Sequence, residues 1–236
     1  LVVRNGEKYI RHCLDALLAQ TYPHEHVEVD ILDNGSNDRT KEIVKNSAQE
    51  FRNAGFAKFH LAESDVNMGM WPGQEELLKH SGGKYILAMA VDVMLDKNFV
   101  AKAVERMESD GNIGALEAKI YRYEISNDKI QMSNIIDTCG FQIFKSRRVI
   151  NIGHGETDSG QFNKYTGIFG VEGAAPFFRK EALEDTKVKG SLVDKEYFWY
   201  GDDLDLAWRM RLFGWKEVFD PEVIAWHDRQ TTKTLK

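Results

Sequence analysis

Val27-Glu28-Val29-Asp30-Ile31-Leu32-Asp33-Asn34-Gly35-Ser36 is the stretch on which the fold turns. Its first six residues read as a buried strand, and the run Asp33-Asn34-Gly35-Ser36 is a dense turn signal that stops it. Ser36 or Asp38 then suits the cap of a helix that carries Ile43, Val44, Ala48 and Phe51 inward. Upstream, Leu1–Arg4 reads as the end of another strand. Asn5-Gly6 turns the chain, and Ile10, Cys13, Leu14, Leu17 and Leu18 recur at helical spacing. Downstream come a short strand at 57–61, a helix near 73–80, and a strand at 85–91 that runs into Asp92. Phe99, Val100, Ala103, Val104 and Met107 mark a further amphipathic helix. Strands alternating with helices through short connections predict an α/β fold with a mostly parallel central sheet. Ligands in such sheets bind beyond the carboxyl ends of the strands, where Asp33 and Asp92 both stand.

The second half is less regular. Residues 113–150 read as strand-rich, with a hairpin from Asp137 to Ile150 and a smaller antiparallel region. Residues 151–170 hold five glycines and read as a long mobile loop, a length at which loops are commonly functional. Residues 203–213 predict a helix stopped by Gly214. Two short strands, 216–219 and 223–226, are split by Asp220-Pro221 and deliver His227. With no repeat or linker, 1–236 reads as one domain, with 1–112 and 113–236 as its two halves.

The net charge of −6 and pI of 5.7 give no broad attraction to nucleic acid. Cys13 and Cys139 lack metal-ligand spacing and are expected to be reduced, which points to an intracellular setting. No run approaches the roughly 18 apolar residues of a membrane helix. The chain opens at Leu1 without a methionine, in what reads as the middle of a strand. It is therefore expected to be a trimmed piece, with peripheral membrane association left to segments outside it.

Several acids stand where chemistry could use them. Asp33, after a buried strand, can accept hydrogen bonds from a base or ribose; a turn-forming aspartate is the plain alternative. Asp92 could hold a divalent cation against a diphosphate. In Gly201-Asp202-Asp203-Leu204-Asp205, three carboxylates open a helix, whose dipole favours their ionised form. An ionised carboxylate is what a general base must be; helix-capping acids are the alternative, and Asp205 can pair with Arg209. His227 ends an apolar strand and suits Mn²⁺ together with a carboxylate, although a capping histidine would look the same.

In chain order, these segments resemble family-2-type glycosyltransferases. The carriers are Val3-Arg4-Asn5-Gly6-Glu7, Leu14–Pro23, Asp33–Thr40, Asn67-Met68-Gly69, Gly201–Arg209 and Pro221–His227. The resemblance implies a GT-A fold and an inverting transfer from a nucleoside-diphosphate sugar to an acceptor hydroxyl, in polysaccharide or glycoconjugate synthesis. It implies Asp203 as catalytic base. Val3, Asn5, Asp33, Asn67, Val91, Asp92, Gly173 and Ala174 would lie along the donor, and Asp92 and His227 would hold Mn²⁺ or Mg²⁺. The acceptor would be a glycan, a lipid-linked sugar or another hydroxyl. The expected place is the cytoplasm, at the inner face of the membrane. Ala90 stands where the first acid of the metal motif is usual, and Asp202 where glutamate is usual. A non-catalytic glycan- or partner-binding module on the same fold is one alternative. A sugar-phosphate nucleotidyltransferase is another, but Arg4-Asn5-Gly6-Glu7-Lys8 is too poor in glycine for its phosphate loop.

Overall fold

The computed structural model describes residues 1–127, 129–194 and 201–229. The first half alternates as expected: β1 (Val2–Val3), α1 (Ile10–Leu18), β2 (Glu28–Asn34), α2 (Thr40–Asn53), β3 (Lys58–Ser64), α3 (Met70–Leu78), β4 (Tyr85–Leu87), β5 (Val93–Leu95) and α4 (Phe99–Glu108). β1, β2 and β3 form a parallel three-stranded sheet in that order. The apolar stripes are buried as their spacing requires. Ile10, Cys13 and Leu14 of α1, Val44 and Phe51 of α2, and Phe99, Ala103 and Met107 of α4 share one core with Ile31.

The second half adds β6 (Ile113–Ser126), β7 (Lys129–Thr138), β8 (Phe141–Ile143), β9 (Val149–Asn151), β10 (Phe177–Arg179), α5 (Lys180–Asp185), α6 (Asp202–Leu212) and β11 (Lys216–His227). A six-stranded sheet runs β4-β10-β6-β11-β5, with β7 paired to β6. Only β6 and β11 are parallel in it; β10 lies antiparallel to β4 and β6, and β5 antiparallel to β11. Parallel pairing therefore dominates the first sheet and not the second.

Four expectations are corrected. The strand expected over 85–91 is regular only at Tyr85–Leu87. Ala88 and Ala90 still donate to the carbonyls of Pro176 and Ala174, but Pro176 has no N–H to return. Residues 216–227 form one strand rather than two, with a register shift between Asp220 and Ile224 that absorbs Pro221. Asp137 lies on β7 and not in the hairpin, which is β8–β9. The 151–170 loop is irregular but anchored. Ile136 N donates to Glu156 O, and Lys119 Nζ reaches Asp158 and Asn163 at 2.9 and 2.6 Å.

The loop's last residue seats α6. A Cβ built on Gly170 would lie 2.4 Å from the Cβ of Ala207. Gly170→Ala is therefore expected to cost about 1–3 kcal/mol of stability, as overpacking does. Urea denaturation measures it, and an unchanged midpoint would refute this close approach.

Candidate functional site

Strand ends and their loops bring most of the expected residues together in two adjoining groups. At the end of β1 and β2, Val3 pairs with Asp33. Asn5 takes a left-handed conformation (φ 51°), donates its N–H to Ser36 Oγ and accepts from Asn37 N. Val91 packs where Gly6 leaves no side chain; a Cβ there would be 3.0 Å from Val91. Asp33 is fully buried. Its Oδ1 accepts from Ser36 N at 3.1 Å, while Oδ2 has no hydrogen-bond partner among the described residues. Asn67 sits at the rim, where its side-chain Oδ1 accepts from Asn34 Nδ2 and Gly69 N.

The second group gathers around residues 171–174. Four successive backbone N–H groups there are each taken by a different carboxylate. Val171 donates to Glu217 at 3.0 Å, Glu172 to Glu117 at 2.6 Å, Gly173 to Asp203 at 3.3 Å and Ala174 to Glu172 at 2.9 Å. Ala174 O accepts from Ala90, two residues before Asp92. The segment thus links the start of α6 to the loop that carries Asp92. Arg229 spans the same region, with Nη2 2.7 Å from Glu172 and Nε 3.0 Å from Asp137 Oδ2. Asp137 Oδ2 is also 2.9 Å from Nδ1 of His227, whose Nε2 lies 3.5 Å from Asp92 Oδ1.

Electrostatics differ along this line. Burial, then Glu172 and Asp202, push Asp203 up to about 7, against the N–H groups of Leu204 and Gly173. The helix terminus does not keep Asp203 in the ordinary carboxylate range: desolvation outweighs a dipole worth about 1 kcal/mol at most in exposed settings. Burial also raises Glu217, to about 8, against the Val171 N–H and then Arg211, and drives Glu117 well above its ordinary range. His227 is held at about 10: burial opposes its charge, but Asp137 and Asp92 prevail. Asp205 pairs with Arg209 at 2.6 Å and stays outside this network.

An imidazole nitrogen and a carboxylate oxygen 3.5 Å apart need a proton or a cation between them. Asp92 and His227 therefore fit a shared divalent ion chemically. Among the described residues, no group of three or more His, Cys, Asp or Glu side chains is arranged to hold a metal. A cavity of about 480 Å³ lies elsewhere, between Val29 of β2 and Tyr85–Met89, and none of the expected site residues lines it. Cys13 and Cys139 are free and buried. Among the described residues no helix is long and apolar enough to cross a membrane.

The profile described as "Glycosyl transferase family 2" matches residues 1–186. The chain belongs to this family. The matched span contains Asp33, Asp92, Gly173 and Ala174 and stops before Asp203 and His227. Glycosyltransferase AglE of Haloferax volcanii is 27% identical over 109 residues, 46% of this chain and 34% of that protein. A Methanococcus voltae enzyme, dolichyl N-acetyl-alpha-D-glucosaminyl phosphate 3-beta-D-2,3-diacetamido-2,3-dideoxy-beta-D-glucuronosyltransferase, is 27% identical over 101 residues, 43% of this chain and 30% of its own. The family 2 chain thus spans about a third of the length of these two relatives.

Among solved structures, GalNAc-T7 with UDP, GalNAc and Mn²⁺ superposes with a TM-score of 0.73 at 14% identity, over 96% of this chain and 42% of that one. Mannosyltransferase PcManGT from Pyrobaculum calidifontis, in complex with GDP-Man and Mn²⁺, gives 0.68 at 18%, over 96% and 55%. At these identities the likeness establishes the fold, which is GT-A.

Sequence reasoning passed over Asp137, Glu172, Arg229, Glu117 and Glu217. Asp137 carried a usable signal: it follows Ile135-Ile136 at a strand end, as Asp33 and Asp92 follow their own apolar runs. Glu117 interrupts the buried run of β6. Arg229 and Glu172 carried none, because their partners are distant in sequence.

Proposed function

We propose that this family 2 chain is an inverting glycosyltransferase, moving a hexosyl or deoxyhexosyl group from a nucleoside-diphosphate sugar to an acceptor hydroxyl. Polysaccharide or glycoconjugate synthesis at the cytoplasmic face of a membrane is the setting we assign it, with a glycan or lipid-linked acceptor. Residues 1–112 would bind the nucleotide, and 113–236 the acceptor. One observation carries the reading: residues 171–174 touch Asp203 at Gly173 and the Asp92 loop, through Ala90, at Ala174. A base and a diphosphate-holding group would then flank one sugar.

The unpaired Oδ2 of Asp33 would accept a hydrogen bond from the base or ribose. Val3, Asn5 and Val91 would wall the nucleoside, with Asn67 at its rim and Gly173 and Ala174 beneath the sugar. Asp92 and His227 would hold Mn²⁺ or Mg²⁺, which when bound offsets charge on the departing diphosphate. Asp203 would take the acceptor's proton as that oxygen attacks the anomeric carbon. The bond to the diphosphate oxygen breaks on the opposite face, through an oxocarbenium-like transition state. The Mn²⁺ and nucleotides bound by GalNAc-T7 and PcManGT support this reading.

The test is transfer from a panel of nucleotide sugars. EDTA should abolish product and Mn²⁺ should restore it, and proton NMR should show an anomeric configuration opposite to the donor's. Full activity in EDTA would retire the metal role of Asp92 and His227; a retained configuration would retire Asp203 as the base of a single displacement.

A further inference from the structure

His227 leaves β11 with its two ring nitrogens committed to different carboxylates. Asp137 Oδ2 is 2.9 Å from Nδ1, and Asp92 Oδ1 is 3.5 Å from Nε2. Asp137 is fully buried and enters from β7, a strand separated from β11 by β6. Its other contacts are basic. Arg229 Nε lies 2.9 and 3.0 Å from its two oxygens, Arg122 Nε 3.6 Å and His154 Nδ1 3.7 Å from Oδ1. A buried carboxylate is costly unless such partners hold it, so its position is strongly determined.

We propose that Asp137 is a positioning residue for His227, holding the ring with its proton on Nδ1 so that Nε2 is presented to a divalent cation shared with Asp92. The proposal rests on the reading of Asp92 and His227 as metal ligands given above. The chemistry follows from donor counting. An ionised carboxylate only accepts, and a neutral imidazole has one N–H. Once a cation takes the place of a proton at Nε2 the ring is neutral, and the carboxylate 2.9 Å from Nδ1 keeps its one proton there, so that Nε2, the nitrogen that faces Asp92, offers its lone pair. Carboxylates behind metal-bound histidines fix the ring's orientation and raise its basicity. The same Asp137 is held by Arg229, which grips Glu172 and through it the N–H of Ala174. The ring's orientation is thereby tied to the segment that touches Asp203.

The experiment measures Mn²⁺ binding by electron paramagnetic resonance, with UDP and with GDP in turn, for wild type, Asp137→Asn, His227→Ala and the double variant. Asp137→Asn is expected to weaken Mn²⁺ binding by about 10- to 100-fold. The double variant should bind no more weakly than His227→Ala, because Asp137 acts through the ring; losses that add would assign it an independent role and overturn the proposal. A second measurement needs no variant to fold. Nitrogen-15 spectra of the wild-type histidines, with Mg²⁺ and the same nucleotides, should show His227 protonated at Nδ1 and bare at Nε2. The reverse tautomer would overturn the proposal. Mn²⁺ binding lost in His227→Ala and intact in Asp137→Asn would overturn it while sparing the metal reading. A wild type that transfers sugar and binds no Mn²⁺ would remove both.

Discussion

Asp203→Asn is expected to cut turnover by about a hundredfold or more while leaving nucleotide binding in place, the scale on which general bases contribute. Asparagine keeps the shape and can still accept from Leu204 N, as Asp203 Oδ1 does at 2.8 Å, giving up only the longer bond of 3.3 Å from Gly173 N to Oδ2. What it cannot do is take a proton. The wild type should carry a pH signature that the variant lacks. Asp203 sits at about 7, raised by burial and by Glu172 and Asp202, so it is ionised and competent only above that point. Wild-type kcat/KM should fall about tenfold per pH unit below it and level off above it. Near-normal turnover in Asp203→Asn, or a flat profile between pH 5 and 8, would remove Asp203 from the role of base.

Glu217→Gln is expected to make the protein more stable at neutral and higher pH, although an acidic residue is lost. Glu217 is buried and sits at about 8 in the fold, against an ordinary 4.5. Between those values the folded chain keeps a proton that the unfolded chain releases, so stability falls as pH rises from 4.5 to 8 and stays lowered above. At about 1.4 kcal/mol per unit, the loss at pH 7 is on the order of 3 kcal/mol. Glutamine can still accept from Val171 N, the bond that Glu217 makes, and it does not titrate. Urea midpoints measured from pH 5 to 8 should therefore fall less steeply in the variant. Equal slopes would show that Glu217 ionises normally in the fold.

The first half, residues 1–112, was the more legible part, and the reason is local. Its helices announce themselves through apolar residues one turn apart, and its strands through short apolar runs stopped by Asp33 and its turn. Each signal is complete within about fifteen residues. Asp33, Asp92 and Asp203 stood out for the same reason, as acids at the ends of regular elements. Where a strand's regularity depended on its neighbour, local reading failed. Residues 88–91 look like strand, but Pro176 opposite them cannot complete the ladder.

Local order and the family to which this chain belongs were written in the sequence itself, as periodicity and as motifs in series. The tertiary structure alone decided the charge states and the second layer of the site. Asp203 looked like an ionised helix-cap acid until burial and Glu172 appeared beside it. Asp137, Glu172 and Arg229 became a connected unit only when β7, the 171–174 segment and the end of β11 met. Dielectric environment and distant pairing are properties of packing, and no stretch of chain states what will be packed against it.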